Sequence, residues 1–279
     1  MALPVRNVRI RLSQGQLFWR EVGQGKTVVF LHGAWSEGDE WLPLIQVLSA
    51  KYHCVAPDLL GFGESERPRR RFHYSIAQQT ECLQELLEVL RLGPVILVGH
   101  GLGGWIATSF ALQHPDQVQS LVLIAPEGVQ PRELAGRWTA AWWLTRRPPV
   151  LYWVLKGLLP LARLLGAQGI DQVLRQRRRW VRSPIGCKLL FNRQASDIRR
   201  ELVQDQLDWL KLPVLLLQGD RAANTTAILT RAYGKAPQAR VQLLAGGDDL
   251  LDTSVEAIAQ AMQAFLNDRH TPPPDSASN

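Results

Sequence analysis

Few residues of this 279-residue chain could do chemistry, and they are scattered. The imidazoles available for general acid–base work are His32, His53, His73, His100, His114 and His270. His100 lies in the glycine-rich stretch VGHGLGGW, residues 98–105, between an apolar run and a helical one. A strand–turn–helix of this shape holds its central residue up for nucleophilic attack. The central residue is Gly101, which carries no oxygen or sulfur. Cys54, Cys82 and Cys187 are odd in number, far apart and without metal-ligand spacing, and read as inert thiols of a reduced compartment. No metal site and no cofactor is expected.

These residues need a scaffold. Apolar residues make up 46% of the chain and charged ones 20%, the balance of a soluble globular protein with a sizeable core. The length suits one large α/β domain with an insertion, or two small domains. VRIRL and QLFWREV, separated by SQGQ, predict a hairpin. TVVFLHG, HCVAPD, PVILVGH, VQSLVLI, LPVLLLQGD and ARVQLL predict strands. Between them stand helical patterns: WLPLIQVLSAKY, SIAQQTECLQELLEVLRLG (capped by Ser75 and stopped by Gly93), GWIATSFALQHP and, last, VEAIAQAMQAFLNDR. Alternation of strands and helices predicts a mainly parallel sheet with helices on both faces. Ligands bind beyond the carboxyl ends of such strands, which here lead into HGAW, PDLLGFGES, GHGLGG, APEG, GDRAA and GGDDL. Arg6, Arg9 and Arg11 break up the amino terminus, so no signal peptide is expected. No run reaches the roughly 18 apolar residues of a spanning helix. The expected location is cytoplasmic.

Five of these motifs in this order resemble the α/β-hydrolase superfamily. They are the HG loop at 32–33, PDLLGFGES at 57–65, the turn around Gly99, Gly101 and Gly103, the strand ending in Gly219-Asp220, and Gly246-Gly247 before a short helix. The resemblance covers residues 5–125 and 211–267. It implies an α/β-hydrolase fold with a core over 1–126 and 211–268, a helical cap inserted at 127–210, and a disordered tail at 269–279. Gly99 and Gly103 satisfy the family's need for small residues where helix and strand approach. Gly101 accepts the strained centre of the turn without a Cβ penalty.

Acyl transfer in this superfamily uses a nucleophile, a base that takes its proton and an acid that orients the base. The resemblance places these at Gly101, Asp248 and Ala222, and all three depart from the pattern. The surrounding glycines are kept, which fits relaxed selection on hydrolysis. The remaining pocket is expected from His32, Gly33, Ala34, Trp35, His100 and Leu102, with His32 structural and a backbone N–H after it facing an oxyanion. His100 is the remaining candidate base. Some family members carry their acid just past the sixth strand, where Glu127 stands as a candidate substitute acid. If Glu127 and Asp248 share the pocket, repulsion and desolvation would keep a proton on one of them. The competing reading pairs them with arginines such as Arg221 or Arg132. Asp58 and Ser65 are assigned to a structural turn.

Residues 127–210 hold 15 Lys/Arg against 7 Asp/Glu, a net of +8, and the remainder holds 17 against 18, a net of −1. The chain's +7 therefore belongs to one segment. That segment mixes Trp138, Trp142, Trp143, Tyr152 and Trp153 with Arg146, Arg147, Lys156 and Arg163, and continues into RQRRRWVR with Trp180. Such a mixture suits either the core of a cap with a solvated cationic face or an anionic membrane surface, touched by Trp142, Trp143, Arg146, Arg147 and Trp153. No recognition motif accompanies the charge, so nucleic acid is not an expected partner. The expectation is a pseudohydrolase that binds a small apolar or amphipathic ligand, or a protein partner, between core and cap, in the cytoplasm or peripherally on a membrane. The alternative is an active enzyme, either a hydrolase with its groups elsewhere or a lyase or isomerase working through Glu127 and Asp248.

Overall fold

A computed structural model describes residues 3–68, 73–164 and 169–268. Eight strands form one sheet: β1 (Arg6–Leu12), β2 (Gly15–Val22), β3 (Lys26–Leu31), β4 (Tyr52–Asp58), β5 (Val95–His100), β6 (Val118–Ile124), β7 (Val214–Gly219) and β8 (Ala239–Leu244). Their order is β1-β2-β4-β3-β5-β6-β7-β8. The hairpin β1–β2 is antiparallel and joins β4 antiparallel, and every pairing from β4 to β8 is parallel. The expected mainly parallel sheet of an α/β-hydrolase fold is what forms.

The strands are buried on both faces because helices cover both. Alternation along β3 sends Val28 and Phe30 to one side, where they meet Leu44 and Ile45 of α1 (Leu42–Leu48). Val29 and Leu31 point the other way, towards Leu86 of α2 (Ile76–Val89) and Ile106 and Phe110 of α3 (Leu102–Gln113). Ser75 caps α2, its hydroxyl accepting from Gln78 N at 3.1 Å. The helix does not run to Gly93: it ends at Val89, and Arg91 takes the left-handed turn with φ 51°. Gly93 follows on an open surface with φ outside that region.

Between β6 and β7 the chain builds α4 (Thr139–Thr145), α5 (Val150–Leu164), α6 (Gly169–Arg182), α7 (Pro184–Leu190) and α8 (Ala195–Glu201). After β7 come α9 (Asn224–Tyr233), α10 (Leu250–Thr253) and α11 (Val255–Asn267). Ile258 and Met262 of α11 join α1 on their shared face of the sheet. The inserted helices sit against the core through Ser183 Oγ, which donates to Ala34 O at 2.6 Å. Trp105 Nε1 of α3 donates to Glu201 O at 2.9 Å, and Val203 N to Gly128 O at 2.9 Å. Trp35 of the core meets Trp138 and Trp180 at ring separations of 6.4 Å, and Phe191 stacks on Trp138 at 5.2 Å. The tail 269–279, including His270, and the side chain of Arg163 lie outside the described residues.

Candidate functional site

The turn after β5 has the conformation its sequence predicts. Gly101 sits at φ 51° and ψ −112°, a region that L side chains rarely adopt. Its carbonyl accepts from Gly104 N, Trp105 N and Glu127 N, and its own N–H donates to Ile124 O at 3.0 Å. The flanking glycines are fixed by contact. A Cβ on Gly103 would lie 2.0 Å from Leu31 O, and one on Gly99 2.6 Å from Gly104 Cα. At Gly101 the case reverses, since a Cβ there would meet only Gly33 Cα at 3.8 Å. The site has room for a side chain and holds none.

The HG loop after β3 faces this turn. His32 is fully buried, and its Nε2 accepts from Leu59 N at 3.0 Å. That leaves the proton on Nδ1, which donates to Gly33 O at 2.8 Å. Burial pushes its pKa below the ordinary value despite nearby carboxylates, so the ring is a neutral strut between two loops. Asp58 is likewise structural. Its carboxylate accepts from Arg20 Nη1 and from the amides of Gly38 and Glu64 at 2.7–2.8 Å. Ser65 Oγ donates to Asp58 O and accepts from Phe18 N. The backbone amides of Ala34 and Leu102, two residues that line the space between these loops, have no acceptor among the described residues.

His100 has a partner that the sequence did not disclose. Its Nδ1 is 3.2 Å from Glu40 Oε2, and Glu40 Oε1 also accepts Gly33 N at 2.8 Å. Burial disfavours charge on both the imidazole and the carboxylate, yet each group outweighs that for the other. Glu40, by charge and hydrogen bond and with Asp252 and Glu127 behind it, raises His100 above its ordinary value. His100 in turn holds Glu40 below the usual carboxylate range. His100 remains 28% exposed, and its Nε2 has no partner among the described residues. Glu40 lies in the turn before α1, and nothing in GDEW marks it as a partner for His100.

A cavity of about 540 Å³ opens beside this pair. Its lining includes the apolar side chains of Trp35, Leu102, Leu190 and Leu229, the acidic residues Glu40, Glu127, Asp248, Asp249 and Asp252, and Arg179. Glu127 is raised above its ordinary pKa by burial, against the pull of Arg137, with which it forms an ion pair. Asp248 is exposed; it accepts from Thr226 Oγ1 at 2.7 Å and from Ala223 N at the start of α9. Glu127 and Asp248 thus share a cavity but have separate partners. Neither expected arginine serves: Arg137, one turn past Arg132, reaches Glu127, and Arg221 pairs with Asp220. Ala222 stays on the turn after β7, its N–H donating to Gly219 O at 3.2 Å. Among the described residues one hydroxyl contacts an imidazole, Thr27 on His53 at 3.4 Å. That contact lies at the amino ends of β3 and β4, at the opposite edge of the sheet from the cavity.

The residues read as membrane contacts divide. Trp143 and Trp153 are exposed, as are Arg146 and Arg147. Trp142 is half-buried against the core, because its ring packs edge-on to Trp143 and beneath the Arg146 guanidinium at 4.7 Å.

Comparison with known proteins agrees with this architecture. A family model described as alpha/beta hydrolase fold matches residues 26–270, and the chain belongs to that family. An uncharacterised protein of Mycobacterium tuberculosis is 37% identical over 111 residues, which is 40% of this chain and 32% of that one. The chain thus matches about a third of the length of that relative. The (E)-2-((N-methylformamido)methylene)succinate hydrolase of Acinetobacter baylyi is 26% identical over 249 residues, 88% of this chain and 92% of that protein. Among solved structures, haloalkane dehalogenase DbeA from Bradyrhizobium elkani superposes with a TM-score of 0.72 at 22% identity, over 95% of this chain and 98% of that one. A membrane phospholipase A does so with a TM-score of 0.71 at 23% identity, over 96% and 87%. These likenesses concern the fold.

Proposed function

We propose that this protein is a catalytically degenerate member of its family, one that holds a small amphipathic ligand in the cavity without cleaving it. The observation that carries this reading is Gly101. The turn, the two free amides and the cavity are in place, but no hydroxyl or thiol stands at the turn's centre. Ala222 and Asp248 at the other two positions support it, as does the absence of any hydroxyl–imidazole contact at this cavity among the described residues. The apolar wall takes the ligand's tail. The carboxylates favour a neutral or cationic polar end over an anionic one.

The test is labelling with a fluorophosphonate serine-hydrolase probe, together with an ester panel. No adduct and no turnover are expected. Gly101→Ser is also expected to lack esterase activity, because Asp248 stands where the resembled pattern puts the base and the His100 imidazole is held by Glu40. A stable acyl or phosphonyl adduct on any cavity residue would overturn the reading. A ligand panel read by Tm closes the argument: neutral and cationic long-chain amphipaths raise Tm, and carboxylate-headed ones of equal length do not.

A second reading rests on the buried Glu127, whose raised pKa suits a proton donor, beside the His100–Glu40 pair. It predicts hydration, elimination or isomerisation on a broad substrate panel, lowered in Glu127→Gln and Asp248→Ala. Equal rates in the three proteins would end it.

A further inference from the structure

A surface helix ordinarily turns a polar face to solvent. α5 does not. Leu151 and Leu155 face inward against the core, and Arg177 of α6 stacks over Tyr152 at 3.9 Å. On the outer side Val150, Trp153, Val154, Leu158, Leu161 and Leu164 are all exposed, Trp153 by 59% and Leu164 by 83%. At 100° per residue these six fall within an arc of about 140°, one continuous stripe the length of the helix. Gly157 lies within that arc, and a Cβ there would meet nothing within 4 Å. Trp143 on α4 and Val181 on α6 add two more exposed apolar side chains from the neighbouring helices.

The segment that carries the stripe has charge of nearly one sign, although Arg137 and Arg193 are turned inward in ion pairs with Glu127 and Glu201. From residue 134 to 196 the chain carries twelve Lys/Arg and one acid, Asp171. Arg146 and Arg147 are exposed and share a groove with Val181, and Lys156 is exposed on α5 itself. Apolar side chains with an indole among them, bordered by cations and nearly free of carboxylates, match an interface of hydrocarbon beneath anionic headgroups. α5 has 15 residues, and no helix of the described residues is long and apolar enough to cross a membrane. A helix of this kind lies in the plane of the interface.

From this stripe and its cationic border we infer that α5 docks the protein on an anionic lipid bilayer. The indole of Trp153 sits at headgroup depth, Leu158 and Leu161 enter the acyl boundary, and Arg146 and Arg147 meet lipid phosphates. The inference is independent of what the cavity holds.

Co-sedimentation with phosphatidylglycerol/phosphatidylcholine vesicles, and with pure phosphatidylcholine, tests it at low and high salt. Binding to the anionic vesicles is expected to exceed binding to the neutral ones at least tenfold and to fall with salt. Trp153→Glu/Leu158→Glu and Arg147→Glu/Lys156→Glu should each lower it at least tenfold. These side chains are exposed, so urea midpoints should match the parent, and that match shows the loss to be a surface effect. Equal binding to both vesicle types, no binding to either, or binding that survives both double variants would overturn the inference. So would a lipid-free dimer, seen by light scattering, that Trp153→Glu/Leu158→Glu dissociates, because the stripe would then serve self-association.

Discussion

At the scale of the residue, Gly101 and the His100–Glu40 pair make opposite demands. Gly101 relaxes a backbone that any side chain would strain, so Gly101→Ser should lower stability by about 1 kcal/mol despite the open space around it. Urea denaturation of the two proteins measures the difference. The ion pair links stability to pH with a definite sign. His100 is raised in the fold, so its contribution is complete below its ordinary value of 6.5 and is lost as pH climbs through the raised one. Glu40 is lowered, so its contribution is complete above its ordinary value of 4.5 and is lost as pH falls through the lowered one. Both act together between those two ordinary values. Glu40→Gln, which keeps an acceptor for Gly33 N, should therefore cost the most in that window, on the order of 1 kcal/mol, and progressively less above it. Denaturation midpoints of both proteins across the pH range check this. His100 was legible as a candidate base because it adjoins a recognisable turn. Glu40 was not, because its role arises only when the loop after β3 folds against the end of β5.

Elements carry the next set of constraints. The approach of α3 to β3 and β5 is set by Gly99 and Gly103, and a methyl group at Gly103 has no place to go beside the Leu31 carbonyl. Gly103→Ala should cost about 3 kcal/mol or prevent soluble expression, while Gly157→Ala, in open space, should not destabilise the protein. Asp58 ties three pieces together: Arg20 of β2, the turn before α1 and the loop after β4. Asp58→Ala strands a nearly buried guanidinium and two amides, and should cost about 3–5 kcal/mol by urea denaturation. The order and type of the core elements could be read from sequence because each strand is a short apolar run and each helix has its own period. Helix endings were harder. Gly93 reads as the stop for α2, but the turn closes two residues earlier on Arg91, whose φ is positive and whose N–H donates to Glu88 O.

The whole molecule buries all three thiols, and burial raises each to about 12. A disulfide-exchange reagent at neutral pH should titrate none of them in the native state and three after denaturation, a direct measure of global opening. The segment carrying the excess positive charge was also legible, since it lies between two strands and differs in composition from everything around it. Which of its aromatics face outward was not. Trp142 and Trp143 are adjacent in sequence, yet one packs inward and the other is half exposed, a choice made by the placement of α4 on its neighbours.

The bare backbone at the bend after β5 also changes the shape of the chamber. Where a protruding group would form a step, the floor here is recessed by roughly the length of one carbon–carbon bond. If the cavity holds the ligand proposed above, its leading atom would seat that much deeper, and slender, unbranched tips would be favoured over bulky ones.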